Sequence, residues 1–550
     1  MTMTTAAVVS ARRPGLDRRG GGWLWPILAV ALGTVAVVGL PLNGNVRYEV
    51  GVHRVSGYSV AETFSHRPIT FRLIAAAQAW VPEAFSSLVG PPGSLSHAWL
   101  FETGFRLGAA VWCAAAALLL WKGLRRRFGT ASPAYSIAAF AGLMFTAPAT
   151  GEPDWLAAVL AGAAVGAGLC GRRGIGGAAG GVLLAVTALV KISSVPVALA
   201  ALVLLWALDH RRGLVAGASA LAAGLLAVAA MAAWAPHEIA WLLDIRALQP
   251  DPWTRLQAVE AGNYFGNLAA RWPTVALLPA FFVGARWRDA WPAAAALALG
   301  AFGIVLQGQY FIYHSAGLVA LSAVLAVRTL GRTGTAVHLP LLACSAWTLA
   351  LFLSPAGWRI QHGAWLYLVT AAWVVGFVLW QRRSLHRPHR TPGTDLRAAI
   401  IALSLLATQT LASAEALTMN TAGQTALVNV RGMSDDLAAG AEIHAVIGVD
   451  TPVVYLAFGS TAYALGNPTH CRYPSPLFLQ RPEAKQVVSL ATRQENLTCV
   501  TEPGARWLVW DRGWLHRKGA PADLLAAIDA TWDCEEALLA GRYTVCPRRP

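Results

Sequence analysis

Long apolar runs alternate along this chain with short clusters of arginine and lysine, and this alternation restricts the folds open to it. The clusters occupy every second gap between apolar runs, whereas the other gaps hold few basic residues. In polytopic membrane proteins, basic residues accumulate in the cytoplasmic loops. The clusters lie at residues 12–19, 122–127, 172–173, 211–212, 286–288, 328–332 and 382–390. The pattern therefore predicts an α-helical polytopic membrane protein with these segments on the cytoplasmic side.

The composition agrees with a membrane protein and argues against a nucleic-acid partner. Hydrophobic residues make up 56% of the 550 residues and charged residues only 13%, whereas a soluble chain carries about 25% charged residues. The net charge is +15, but the arginines are scattered between apolar runs and form no platform interleaved with aromatic residues. We expect them to orient helices against anionic membrane lipids.

A helix that crosses a bilayer needs about 20 apolar residues, and the apolar runs supply about 13 transmembrane helices by that measure. They are predicted at 23–42, 104–121, 131–148, 156–170, 174–191, 195–208, 213–234, 271–285, 290–307, 313–327, 335–354, 363–380 and 396–413. An odd number places the N-terminus inside and the C-terminus outside. We expect a multi-pass protein of the plasma (inner) membrane with a cytoplasmic tail, 1–22, and a transmembrane domain, 23–413.

Three of the predicted outside segments are long: residues 43–103, 235–270 and the tail 414–550. Segments of this length exceed simple connections, which rarely pass about 12–15 residues without a role. We therefore expect the function to lie on the outer face.

The tail, 414–550, is predicted to form a separate, small extracytoplasmic α/β domain. Its apolar content falls after about residue 414, residues 453–458 and 507–510 are predicted strands, and 523–536 has helical spacing.

Four of the seven cysteines lie in this tail, at Cys471, Cys499, Cys534 and Cys546. Four cysteines in one outside domain indicate two disulfides with three alternative connectivities. Proximity along the chain favours Cys471 with Cys499 and Cys534 with Cys546. A zinc site is the alternative, although a CxxC pair is lacking.

Three acids lie at the predicted outer surface. Glu49 follows the first span by a few residues, and Glu152 and Asp154 occupy the short gap after the third. Acids beside hydrocarbon are costly unless they have a partner or a task. They could supply a general base or together hold a divalent cation such as Mg²⁺ or Mn²⁺. The alternatives are a solvated loop acid for Glu49 and a helix cap for Asp154.

Cations and aromatic residues share this outer rim. His66, Arg67 and Arg72 border an apolar stretch, 69–85, which we expect to lie as a helix in the membrane interface and to break at Pro82. Such cations suit a lipid phosphate, which arginine grips with two donors, although headgroup anchoring is an alternative.

Two later positions extend the rim. Lys191 ends the fifth span, where it could pair with a phosphate or an acid, or snorkel to headgroups. Tyr310, Tyr313 and His314 follow the ninth span and offer donors and flat faces suited to a sugar or a pyrophosphate, although the tyrosines also fit an aromatic belt.

The order of these parts resembles the GT-C superfamily of membrane glycosyltransferases. The resemblance rests on the long first outside loop with Glu49 near its start, on Glu152 and Asp154 in the second outside loop, on the Leu189–Ser193 stretch around Lys191, and on the rim residues Tyr313 and His314. Where the family usually carries Asp, this chain carries Glu49.

The resemblance implies an enzyme that transfers a sugar, with inversion, from a polyprenyl-phosphate donor to a glycan, lipid or protein acceptor. Glu49, Glu152 or Asp154 would activate the acceptor hydroxyl, while His66, Arg67, Arg72 or Lys191 would neutralise the departing lipid phosphate. Two other classes remain: a transporter or flippase of lipid-linked substrates, which would carry charges through the bundle, and a cell-envelope scaffold.

Overall fold

The computed structural model describes residues 29, 42, 44–129, 131–146, 150–249, 251–333, 337–385, 394–413, 426–480 and 490–550. The described part is mostly helical, with one small sheet. The predicted tail 1–22 and all but two residues of the predicted first span, 23–42, lie outside the described residues.

Each of the twelve remaining predicted spans, from 104–121 to 396–413, overlaps at least one helix. In chain order up to residue 413, the helices are α1 (Gly44–Val55), α2 (Ile69–Ser86), α3 (Leu95–Phe128), α4 (Ala134–Met144), α5 (Pro153–Leu169), α6 (Arg173–Val190), α7 (Val195–Leu208), α8 (His210–Trp234), α9 (His237–Ala247), α10 (Arg255–Arg271), α11 (Pro273–Ala276), α12 (Leu278–Phe282), α13 (Trp287–Val305), α14 (Ala316–Thr333), α15 (His338–Leu353), α16 (Ala356–Gln361), α17 (Gly363–Ser384) and α18 (Thr394–Ser413). Among the described residues, 6 helical segments are long and apolar enough to cross a membrane, and shorter apolar helices accompany them.

Two predicted spans differ in form from a single straight crossing. The predicted span 271–285 is divided into α11 and α12, each of which has a proline in its first turn. Proline lacks the N–H that would continue a preceding helix. Helix α4 has 11 residues and a length of about 16 Å, which is short of the roughly 30 Å hydrocarbon core.

Close helix packing in the bundle depends on small residues. A Cβ added to Gly166 on α5 would lie 2.4 Å from the backbone of Leu119 and Leu120 on α3. Only glycine permits this approach, as in other membrane helix pairs that meet through small residues.

The first segment predicted to lie outside, 43–103, is folded and held against the bundle by buried charges. Arg47 on α1 and Arg106 on α3 both contact Glu102, at 2.7 and 3.4 Å, and all three side chains are buried. This triad fixes α1 against α3.

Helix α2 continues through Pro82, contrary to the predicted break. Its Trp80 side chain is 72% exposed, as expected of a helix in the membrane interface.

The C-terminal part adds a sheet and several helices. Its elements are α19 (Ala426–Ile447), β1 (Val453–Leu456), α20 (Thr461–Leu465), α21 (Leu477–Gln480), α22 (Ala491–Val500), β2 (Trp507–Asp511), α23 (Ala522–Thr531), β3 (Leu538–Ala540) and β4 (Tyr543–Pro547). The strand order is β1-β2-β4-β3, with β1 parallel to β2 and the other pairs antiparallel.

Both predicted strands are present, whereas β3 and β4 were not predicted. The predicted helix 523–536 ends at Thr531, because the N–H of Asp533 donates to the carbonyl of Pro547 at 2.8 Å and brings the chain alongside β4.

The tail is not the separate body that the composition predicts, because it shares a hydrophobic core with the first outside segment. One buried cluster contains Val46 and Phe101 from that segment and Tyr463 and Val509 from the tail. A Cβ on Gly51 would lie 2.4 Å from the backbone nitrogen of Tyr463. The C-terminal sheet is therefore held next to α1.

The tail contains the two disulfides favoured by proximity, Cys471–Cys499 and Cys534–Cys546. The four sulfurs are therefore paired with each other, which excludes the zinc alternative for this structure. Cys113, Cys170 and Cys344 are free.

We expect alkylation of SDS-denatured protein to modify three thiols per chain without reductant and seven after reduction, since disulfides persist in extracytoplasmic proteins. Mass spectrometry of the intact chain measures both numbers. Seven modified thiols in unreduced protein would contradict the pairing.

Candidate active site

Glu49 lies at the centre of a buried polar cluster. It is on α1, and its side chain is 3% exposed. Ser65 Oγ lies 2.9 and 2.8 Å from its two carboxylate oxygens and donates to them. Arg67 Nε lies 3.7 Å from Glu49 Oε1. The carboxylate is thus held in one orientation beside a cation.

The burial of Glu49 changes its acidity. Burial raises the pKa of Glu49 to about 7, against the opposing effects of Arg67 and the Ser65 hydrogen bond. A carboxylate with a pKa near neutrality is a stronger base than a solvated one and still partly ionised at pH 7, which suits proton abstraction.

Arg67 joins Glu49 to the second outside loop. Its Nη2 donates to Glu152 Oε2 at 3.1 Å, across 85 positions of the chain. Glu152 is the N-cap residue of α5, but its side chain makes no capping hydrogen bond and contacts Arg67 instead. Burial lowers the pKa of Arg67, but Glu152, Tyr313 and Glu49 outweigh it and raise the pKa, so the guanidinium remains charged.

Asp154 forms a second ion pair beside the first. It lies in the first turn of α5 and does not cap it, so the capping alternative is wrong. Lys191 Nζ donates to Asp154 Oδ2 at 3.1 Å and also to the side-chain carbonyl of Gln307. Gln307 Nε2 lies 3.3 Å from Asp154 Oδ1. Lys191 keeps 19% of its side chain exposed.

His314 and Tyr313 complete the rim of this cluster. His314 Nε2 lies 4.0 Å from Asp154 Oδ2, and its Nδ1 donates to the carbonyl of Gln309 at 2.9 Å. The Tyr313 and His314 rings are 4.5 Å apart, and Tyr313 also lies against Arg67. Five segments distant in sequence thus meet at one place.

His66 borders the cluster through contacts between aromatic rings. Its ring lies 5.0 Å from the ring of Tyr48 and 5.6 Å from that of Phe458. It therefore sits between α1 and the C-terminal part of the chain.

Arg72 and Tyr310 do not join the cluster. Arg72 is fully buried, donates to the carboxylate of Glu238, and donates to the carbonyls of Val60 and Thr63. These internal partners engage both terminal nitrogens of Arg72, and phosphate binding by Arg72 stays an untested prediction. The Tyr310 ring packs 5.7 Å from that of Tyr264 in an apolar cluster.

The predicted cation site formed by Glu49, Glu152 and Asp154 does not fit the arrangement. Among the described residues, His, Cys, Asp and Glu form no group of three that could hold a metal. Arg67 separates Glu49 from Glu152, and Lys191 neutralises Asp154. The donor set therefore suits an anion better than a metal.

Two members of the cluster, Ser65 and Gln307, were not singled out from the sequence. Ser65 directly precedes the candidate residue His66, and Gln307 begins the segment that contains the candidates Tyr313 and His314. Polar residues at a membrane rim are costly without partners, and this signal applies to Gln307.

The helical bundle, with its apolar helices and C-terminal sheet, has a fold shared with solved membrane-protein structures. The chain is similar to ArnT from Cupriavidus metallidurans in the apo state, with a TM-score of 0.55, 13% identity, and coverage of 96% of this chain and 98% of that one. ArnT bound to undecaprenyl phosphate gives a TM-score of 0.54 at 15% identity and the same coverage. The expected mostly helical fold with several apolar spans is confirmed, whereas the number of thirteen spans stays a prediction. No protein-family model and no curated protein matches the sequence.

Proposed function

We propose that this protein is an inverting glycosyltransferase of the plasma membrane that takes a sugar from a polyprenyl-phosphate donor. The observation that carries the proposal is the position of Arg67, 3.7 Å from Glu49 and 3.1 Å from Glu152. A base of raised pKa beside a buried cation is what a reaction needs when a hydroxyl attacks and a phosphate departs.

In the proposed reaction, Glu49 removes the proton of the acceptor hydroxyl. The hydroxyl oxygen bonds to the anomeric carbon from the face opposite the phosphate, and the bond from that carbon to the phosphate oxygen breaks. The electron pair of the broken bond stays on the polyprenyl phosphate. The acceptor is a glycan, a lipid or a protein.

Arg67 and Lys191 are proposed to hold the departing phosphate. Arg67 Nε makes no hydrogen bond within the described part of the chain and lies 3.7 Å from Glu49 Oε1, so it is the cationic donor next to the proposed base. Lys191 is the more exposed member of its pair with Asp154, at 19% against 8%. His66 and His314 stand beside these cations, and Glu152 and Asp154 keep them in place. The chemistry derived from these residues requires no metal.

The proposed topology rests on the predicted spans and on the basic clusters between them. Thirteen spans, with the first at 23–42, would put the N-terminus in the cytoplasm and residues 414–550 outside. The C-terminal sheet packs on the first outside segment, and its disulfides suit an oxidising compartment. Both features support an extracytoplasmic site.

Purified protein incubated with a panel of polyprenyl-phosphate sugars, together with glycan, lipid and peptide acceptors, tests the proposal directly. We expect release of polyprenyl phosphate with at least one donor, detected by mass spectrometry. A Glu49→Gln control should release none above background. Equal release from both proteins, or none with any donor, would overturn the assignment.

We expect the transfer rate to depend on pH through Glu49. Because the base must be deprotonated, kcat/KM should rise about tenfold per pH unit below pH 7 and level off above it. Ser65→Ala removes a donor that favours the carboxylate, so it should move the midpoint to higher pH. A midpoint near 4.3, that of a solvated glutamate, would show that another group titrates.

A further inference from the structure

The loops that follow β1 and β2 carry two aromatic rings at one edge of the C-terminal sheet. Since β1 and β2 are parallel, their carboxyl ends meet at the same edge, where ligands bind in open α/β sheets. Phe458 follows β1 and Trp514 follows β2, and both side chains are half-buried. Their rings stack 5.1 Å apart with 12° between planes.

This aromatic pair continues into the candidate active site. Phe458 stacks on Tyr48, with ring centroids 4.6 Å apart, and Tyr48 directly precedes Glu49 on α1. The His66 ring contacts both Tyr48 and Phe458 and is followed by Arg67. A ladder of rings therefore leads from the surface of the C-terminal sheet to the proposed base.

The two loops are held rigidly by a clamp of charged groups. Arg542 Nε lies 3.2 Å from Asp511 Oδ2, and Arg542 Nη2 lies 3.3 Å from Asp436 Oδ1. Asp511 in turn accepts from the N–H of Trp514 at 3.2 Å, and Asp436 accepts from the hydroxyl of Ser460. Both aromatic residues are therefore positioned before any ligand arrives.

The clamp also places a partly exposed cation at this edge of the sheet. The two acids are buried, whereas the Arg542 side chain is 46% exposed. The half-buried Trp514 ring and the half-exposed Arg542 share this edge of the sheet. They match a sugar, whose C–H groups cover an aromatic ring while its hydroxyls form hydrogen bonds with a charged group.

We propose that Trp514, supported by its stacking on Phe458, and Arg542 form a subsite for a sugar ring of a glycan acceptor, near the base Glu49. The inference rests on the proposed function and narrows its acceptor from a glycan, a lipid or a protein to a glycan. The acceptor chain would lie along the ring ladder with the reacting hydroxyl at Glu49.

Binding of free oligosaccharides tests the subsite without any transfer. Full-length protein is titrated with linear hexasaccharides of glucose, mannose and arabinose, followed by saturation-transfer NMR and calorimetry. We expect saturable binding of at least one, weakened about tenfold by Trp514→Ala, a loss of the order of one aromatic contact. Phe458→Leu, which keeps an apolar group, should weaken it similarly.

The matched control is Trp507→Ala, which removes a half-buried tryptophan at the opposite end of the same strand. It should leave the affinity unchanged. The absence of saturable binding, or equal weakening by Trp507→Ala and Trp514→Ala, would overturn the subsite.

The outcomes separate this inference from the proposed function. If the oligosaccharide binds through Trp514 but no donor releases polyprenyl phosphate, the transferase assignment fails and the sugar site stands. If transfer occurs and Trp514→Ala leaves the acceptor KM unchanged, the subsite fails and the transferase stands.

Discussion

Glu49→Gln should lower the rate of sugar transfer by about 10²–10⁴-fold, or roughly 3–5 kcal/mol of barrier. The amide keeps the size of the side chain and can still accept from Ser65, but it cannot take a proton. Because burial opposes the charge on Glu49, the neutral variant should unfold at the same temperature as the native protein or at a higher one. The measurements are kcat with a saturating donor and the thermal unfolding midpoint.

Two further variants separate the roles of the neighbouring groups. Glu152→Gln should reduce the rate less than Glu49→Gln does, since Glu152 positions Arg67 and does not take the proton. Arg67→Lys keeps a cation between the acids but loses the two-donor grip of a guanidinium, so we expect weaker donor binding with the base retained. Near-native rates in both Glu variants would remove the catalytic assignment.

Glu238→Ala should destabilise the protein by about 3–5 kcal/mol, the cost of leaving a buried charge without its partner. Glu238 is 1% exposed and Arg72 is fully buried. The Glu238 carboxylate binds the Arg72 guanidinium and also accepts from the N–H of Ile69, at 2.7 Å, where α2 begins. The pair joins the two outside segments 43–103 and 235–270, so its loss should loosen both. Thermal unfolding in detergent measures the effect.

The matched control is the double variant Arg72→Leu with Glu238→Leu. Replacing both members of a buried pair by apolar groups is often neutral, so the double variant should recover most of the lost stability. If the Glu238→Ala variant has the same unfolding temperature as the native protein, the ion pair does not hold the two segments together.

Much of the membrane part could be predicted because a bilayer imposes a local rule. Every backbone polar group must be satisfied within the segment and about 20 apolar residues must follow one another. Helices therefore occur at the predicted spans that the structure describes, such as α8 and α17. The rule is weakest where proline interrupts the run, and there the predicted span 271–285 becomes α11 and α12.

The candidate site could be predicted only as a set of residues on one side of the membrane. Glu49, Arg67, Glu152, Asp154 and Lys191 all follow the ends of spans, and their meeting at one place agrees with that expectation. The sequence did not indicate which acid each arginine would pair with. Arg67 and Arg72 are five positions apart and look equivalent, yet one contacts the acids of the cluster and the other binds Glu238.

The sequence by itself indicated a polytopic membrane protein and the positions of most apolar helices. It also favoured, among three alternatives, the observed pairing of the tail cysteines, and it predicted that the acids and cations lie near one surface. These properties depend on composition and on distance along the chain. The tertiary structure alone decided that Arg67 joins Glu49 to Glu152, that Arg72 is withdrawn from the site, and that the C-terminal sheet packs against α1. Each of these depends on the orientation of side chains across 85 positions or more, which hydrophobic periodicity does not encode.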